Sequence, residues 1–271
     1  MRYSFRAFFP LAGLLLQLSS ATAQDRIFNF TYQSPTLPPG QSEIEVWTTF
    51  RSGRAEYYRA LDQRIEFETG LAANLQTAFY LNFSSRAAAE APGSASSSLQ
   101  TGLELTFSNE WKLKLLDPVG DPVGVALYGE YTIGAALIEL EPRLIIDRVV
   151  GRTIFALNVA AEFESEQENG EDGRMVTARS AELHVNLAAS TPVAPGLYAG
   201  VEVFNRNGLG SDAPSYSALY AGPTLSYAAG RFWANITFMP QLTALAGATT
   251  GGLALRDAER YLTRLLFSYA L

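Results

Sequence analysis

Between Leu61 and Phe83 apolar and polar residues alternate along the chain. Leu61, Ile65, Phe67, Thr69 and Leu71 share one parity; Asp62, Arg64, Glu66 and Glu68 share the other. After Ala72-Ala73-Asn74 the alternation resumes, with Leu75, Thr77, Phe79, Leu81 and Phe83 set against Gln76, Ala78, Tyr80 and Asn82. Side chains fall on opposite faces with period two only in extended chain. The stretch therefore predicts a β-hairpin with one apolar face and one charged face. Each arm is about ten residues, the length with which a tilted strand crosses a bilayer. Half-buried strands of soluble sandwiches are shorter, at about five or six residues.

The pattern recurs from end to end. Strands are predicted near 41–51, 61–71, 75–83, 99–115, 123–133, 137–148, 152–164, 176–190, 196–205, 216–228, 231–243 and 257–271. An even number suits an antiparallel sheet closed on itself with both termini at one end. The connections at 72–74, 117–122, 149–151, 191–195 and 229–230 are short, whereas those at 85–98, 165–175, 206–215 and 244–255 are longer. Only 134–136 breaks the rhythm of short turns at one end and long loops at the other. Backbone polar groups cannot stay unpaired in lipid, so such a sheet must close. The expectation is an all-β fold: a closed antiparallel transmembrane β-barrel of about 12 strands. Trp47, Tyr57, Tyr58, Trp111, Phe232 and Trp233 lie near strand ends, where interfacial aromatic girdles form.

The first residues carry a different signal. Arg2 and Arg6 precede the apolar run Phe8 to Leu16, and Ala21-Thr22-Ala23 supplies small residues at a cleavage position. Residues 1–23 read as a secretory signal peptide. Residues 24–40 end Pro-rich, as a periplasmic lead-in with the barrel mouth as a place to tuck, and 41–271 form the barrel. No stretch has about 18 uninterrupted apolar residues, so no transmembrane helix is predicted. The chain has no Cys, which excludes disulfides and thiolate metal sites. Its formal charge of −7 becomes −9 once Arg2 and Arg6 leave with the leader, which argues against nucleic acid as a partner.

The run Thr36-Leu37-Pro38-Pro39-Gly40 is followed by Glu43, Glu45 and Trp47. Further on come Glu66, Glu68, Gly70-Leu71, Leu75-Gln76 and Tyr80-Leu81-Asn82-Phe83. Over roughly residues 30–85 this resembles an uncharacterised family of Gram-negative outer-membrane β-barrels, loosely similar to transporters of the phenol-degradation type. The resemblance implies a barrel in the cell outer membrane and carries over no functional residue. The chain departs from many such barrels by ending in Leu271, which weakens Tyr269 and Leu271 as a signal to the barrel-assembly machinery.

The inward parity is acidic: Glu43, Glu45, Asp62, Glu66, Glu68, Glu104, Glu130, Glu139, Glu141, Glu162, Glu164, Glu182 and Glu202, against Arg64, Arg143 and Arg264. These charges form either a cation-favouring pore or a wall of paired charges and water. The lumen candidates are Arg64, Glu66, Glu68, Glu139, Glu141, Arg143, Glu182 and His184. His184 is the only histidine. The string His184-Val185-Asn186 offers no partnered nucleophile, so it reads as a lumen hydrogen-bonding residue rather than a catalytic one. The acids Glu164, Glu166, Glu168, Glu171 and Asp172 do not match the spacing of a calcium loop and read as a solvated segment. No catalytic residue, metal or cofactor is assigned. Three function classes stay open: a passive channel or transporter for small polar or cationic solutes, a structural or surface-interaction barrel, and an outer-membrane enzyme. The expected partners are outer-membrane lipid and lipopolysaccharide, the assembly machinery and a small solute. In this register Arg in place of Phe79 or Leu140 should be costly, and in place of Tyr80 or Glu139 cheap.

Overall fold

The structure is a computed structural model that describes residues 26–89, 99–170, 174–210 and 214–271. The 1–23 leader and the tip of the 85–98 loop lie outside the described residues. Twelve antiparallel strands follow one another: β1 (Ser42–Ser52), β2 (Tyr58–Ala72), β3 (Leu75–Ala89), β4 (Leu99–Leu116), β5 (Gly124–Gly134), β6 (Leu137–Val150), β7 (Thr153–Asn169), β8 (Met175–Ala194), β9 (Leu197–Leu209), β10 (Pro214–Ala229), β11 (Phe232–Ala246) and β12 (Tyr261–Ala270). Each pairs with its neighbours in sequence, and β12 pairs with β1 from Glu43↔Ala270 to Ser52↔Tyr261. No sheet edge is left among them, as a bilayer requires. Among the described residues no helix is long and apolar enough to cross a membrane; the crossing is made by strands.

The opening hairpin forms as its alternation dictates. Glu43 faces Glu68 and Glu45 faces Glu66 across β1 and β2, while Phe67 faces Phe79 across β2 and β3. One parity points outward, so Ile44, Val46, Ile65, Phe67, Phe79, Leu81 and Leu140 are exposed apolar side chains, the lipid face of a barrel turned inside out relative to a soluble protein.

Several strands outrun their predicted bounds, β3 by six residues, to Ala89. β7 and β8 consume most of 165–175, and β9 and β10 consume most of 206–215. Those stretches read as loops because their outward positions are polar. A ladder that continues past the hydrocarbon into water needs no apolar face, and its hydrogen bonds leave no trace in hydrophobic periodicity. Glu164, Glu166 and Glu168 are therefore residues of a strand, and Glu171 and Asp172 lie outside the described residues.

Three aromatics predicted for the girdles are inside. Trp47, Tyr58 and Trp233 are buried, with Trp233 at 0% exposure. All three sit on the inward parity of their strands, and parity overrides nearness to a strand end. The girdles are built by outward residues instead: Tyr57, Tyr131 and Tyr261 toward the loop end, Trp111, Tyr227 and Tyr269 toward the end that carries the termini. Phe232 is half-buried, its ring 4.6 Å from that of Phe267.

Candidate functional site

The lumen is not a water column. Residues 26–38 run inside it, and Ile27, Phe28, Asn29, Phe30, Thr31, Tyr32, Ser34 and Leu37 are buried. This segment shows no alternation because it lacks ladder partners over most of its length. Its backbone polar groups still need partners, and the inward side chains of the wall supply them. Glu202 of β9 takes three consecutive amides: Asn29 N–H to Oε1 at 2.9 Å, Phe30 N–H and Thr31 N–H to Oε2 at 2.8 and 2.9 Å. Asn158 of β7 accepts from Tyr32 N–H at 2.6 Å and donates to Tyr32 C=O at 3.0 Å. Asp147 of β6 receives Ser34 N–H at 3.2 Å, and Gln76 of β3 receives Leu37 N–H at 2.9 Å. Asn235 of β11 donates to Arg26 C=O at 2.6 Å, and Arg264 of β12 to Asn29 C=O at 3.2 Å. Six strands thus hold one strap. It leaves the lumen where Gly70 permits a close pass: a Cβ there would lie 2.2 Å from Pro38 O, so only glycine fits.

Aromatic stacking fixes the middle of the strap. Tyr32 packs against Tyr128 and Trp47, with ring centroids at 5.2 and 6.2 Å. The Arg26 guanidinium lies 3.9 Å from the Tyr32 ring centre and 4.3 Å from that of Trp47, and Arg143 lies 4.4 Å from Tyr32. A desolvated cation over a ring face is held by the ring quadrupole. This stack divides the lumen in two.

Toward the termini end is a cavity of about 570 Å³ lined by Glu45, Glu66, Glu68, Gln76, Glu110 and Lys112 of the wall and by Arg26 and Tyr32 of the strap. Toward the loop end is a cavity of about 270 Å³ lined by Arg64, Glu139, Glu141, Arg143, Glu162, His184 and Arg206, among others. The eight lumen candidates therefore split. Glu66 and Glu68 face the first cavity. Arg64, Glu139, Glu141, Arg143 and His184 face the second, and Glu182 is joined to it through His184 Nε2 at 2.9 Å.

The second cavity is rich in contact ion pairs. Arg64 reaches Glu130, and Arg143 reaches Glu141 at 2.7 Å. Glu182 receives Arg206 on both oxygens, at 2.6 and 2.8 Å, and the Tyr216 hydroxyl at 2.6 Å. No hydroxyl is hydrogen-bonded to His184 among the described residues; its ring stands edge-on to Phe204 at 5.3 Å. The first cavity differs. Among the described residues no Lys or Arg nitrogen lies within 4.0 Å of a carboxylate oxygen of Glu43, Glu45, Glu66, Glu68 or Glu110.

At the loop end the 247–260 connection turns inward, so that Ala254, Ala258 and Glu259 are fully buried. Glu259 meets Arg54 at 2.6 Å, Arg51 at 3.2 Å and Arg206 at 3.6 Å. Burial alone would raise its carboxyl pKa, but the three guanidinium groups hold it below the ordinary value. Arg51, Arg54, Glu110, Lys112, Arg206 and Glu259 were all missing from the sequence candidates. Glu110 and Lys112 continue the inward parity of Thr106 and were legible by extending it. Arg206 was hidden by the misplaced loop, and Glu259 lies outside any strand.

Among the described residues, three groups of side chains bring one donor atom each within 4.8 Å of the others: Glu43, Glu45 and Glu68; Glu141, Glu162 and His184; Glu139, Glu162 and Glu164.

Solved structures share this architecture at low sequence identity. The COG4313 outer membrane channel from Pseudomonas putida F1 is 12% identical, with a TM-score of 0.61 over 88% of this chain and 98% of that one. The NanC porin is 11% identical, with a TM-score of 0.53 over 84% of this chain and all of that one. The translocator domain of the autotransporter NalP from Neisseria meningitidis is 12% identical, with a TM-score of 0.54 over 84% and 88% of the two chains. A channel, a porin and a translocator share the fold, so the likeness speaks to architecture alone. No curated protein matches the chain. Residues 20–271 match the model of a family of unknown function, DUF6662, and the chain belongs to that family.

Proposed function

We propose that this chain is an outer-membrane conduit for small polar or cationic solutes, closed in the described state by its own N-terminal strap. The observation that carries the reading is how the strap is held. Its backbone is bonded to wall side chains rather than built into the sheet. A segment held this way can leave without breaking a strand, and what it leaves is a lumen lined by charge. Fold likeness to a channel and a porin supports the same reading. The termini end then faces the periplasm and the longer connections face outward. The apolar belt meets lipid, and the loop end meets lipopolysaccharide. Nucleic acid is no partner for an acidic chain.

Selectivity should favour cations, because Glu43, Glu45, Glu66, Glu68 and Glu110 outnumber the cations Arg26 and Lys112 beside them, and rings of carboxylates attract positive charge. The test is the reversal potential across a salt gradient for a Glu202→Ala variant, which frees the strap. A potential on the cation side, moved toward zero by Glu66→Gln with Glu68→Gln, agrees with this assignment. An anion-selective pore contradicts it.

The strap across the lumen and the inturned 247–260 connection at the loop end favour a second reading, a structural barrel that does not transport. That reading holds if the strap-free protein also fails to conduct.

A further inference from the structure

The cavity toward the loop end holds charges that the conduit does not require. Most of the ionised side chains lining it meet a partner in contact. Arg51 meets Asp62 at 2.6 Å, Arg64 meets Glu130, Arg143 meets Glu141 at 2.7 Å, and Arg206 meets Glu182 at 2.6 Å. Three lining charges have no such partner. Among the described residues no carboxylate oxygen lies within 4.0 Å of an Arg264 nitrogen, and no Lys, Arg or His nitrogen lies within 4.0 Å of a carboxylate oxygen of Glu139 or Glu162. All three are half-buried, and charges drawn out of water are ordinarily paired.

Arg264 is held in place without being neutralised. Its Nε–H donates to Thr49 Oγ1 at 2.8 Å and its Nη1 to Asn29 C=O at 3.2 Å, and the guanidinium lies 4.2 Å from the centre of the Phe30 ring. All three partners are neutral. A guanidinium has five N–H donors in a planar fork, so three remain to be used. The two carboxylates stand on the other side of the lumen: Glu139 is on β6, opposite β12 in the ring of twelve strands, and Glu162 is on the adjoining β7. An oxygen of Glu139 and one of Glu162 are no more than 4.8 Å apart. A single ammonium can bridge that gap with hydrogen bonds of about 2.8 Å to each.

We propose that this cavity binds a small zwitterion, its carboxylate on Arg264 and its ammonium between Glu139 and Glu162. The fork of Arg264 suits a carboxylate, because parallel N–H donors match its two oxygens. Neither a simple anion nor a simple cation satisfies both walls. Pockets for drug-sized ligands hold about 300–1,000 Å³, so a cavity of about 270 Å³ suits a ligand of amino-acid size. The inference rests on the conduit reading only in giving it a class of solute; binding itself needs no permeation.

The probe is L-lysine, which carries ammonium groups both near to and far from its carboxylate and so meets the site at either span. Cadaverine is the same molecule without the carboxylate, and hexanoate has the carboxylate without an amine. The full chain in detergent is titrated with each by calorimetry at pH 7.5 and low salt. Lysine should bind saturably and at least about tenfold more tightly than either analogue, since each analogue forfeits charge-assisted hydrogen bonds at one wall. Arg264→Gln should weaken lysine at least about tenfold and leave it no advantage over cadaverine. Glu139→Gln with Glu162→Gln should do the same and leave it no advantage over hexanoate. Glu168→Gln, an exposed position further along β7, should change nothing. The comparison of the three solutes needs no variant, so it decides even if Arg264→Gln fails to fold. Lysine binding no tighter than the analogues, or indifferent to Arg264→Gln in a folded variant, overturns the site. A silent barrel that binds lysine in this pattern keeps the site and loses the conduit, and a conducting barrel that does not bind it loses the site alone.

Discussion

Glu202 accepts three backbone amides from the strap and the hydroxyl of Thr237 at 2.8 Å. Hydrogen bonds to a charged acceptor are each worth about 1.5–3 kcal/mol. Glu202→Ala should loosen the docking of residues 26–38 by about 3–5 kcal/mol, with part of the loss offset by water. Limited proteolysis near Arg26 should speed up while the heat-modifiable barrel band on a gel stays intact. On the outer face, Arg in place of Leu81 or Leu144 should cost about 2–4 kcal/mol, and less near the girdles. Phe79 sits one step along the ladder from the Thr77↔Trp111 pair, and Leu140 pairs with Tyr131. These two predicted positions are therefore interfacial and should tolerate Arg better, as unfolding titrations in detergent or lipid would read. Tyr80 reverses its expectation. It is inward but 1% exposed, edge-on to Trp47 and bonded to Glu110, so Tyr80→Arg should be costly and Glu139→Arg alone cheap. Parity told which way a residue points; it could not tell whether the space there was already taken.

At the scale of elements, strands were legible and the pieces that close them were not. A strand between two partners repeats its environment every second residue, so hydrophobicity records it. Residues 26–38 and 247–260 have no such repeat. Their partners are Glu202, Asn158 and Gln76 for the strap, and Gln241, which accepts from Ala254 N–H at 2.6 Å, for the connection; all are inward by parity, yet nothing local says that a distant segment will use them. The loop 247–260 hangs on Glu259, whose carboxyl titrates below its ordinary value because burial is outweighed by Arg51, Arg206 and Arg54. A depressed folded pKa gives stability that is present above the unfolded value, about 4.3, and lost as pH falls through the folded one. Hydrogen exchange across 247–260 should be slow at pH 7 and should quicken relative to β11 and β12 only under strong acid. Uniform protection at every pH would mean that the ion cluster contributes nothing to holding this connection in place.

Over the whole molecule, closure of twelve strands followed from strand count, alternating connection lengths and the intolerance of lipid for unpaired backbone. The split of the lumen did not follow, because it depends on the strap carrying Arg26 and Tyr32 between Trp47, Tyr128 and Arg143. Single-channel conductance in a planar bilayer tests this arrangement most directly. The chain carrying its strap should be silent or flicker briefly, whereas Glu202→Ala, or removal of residues 26–38, should give steady cation-selective openings. Equal conductance with and without a docked strap would contradict closure by the N-terminal segment, and silence in both would contradict a conduit.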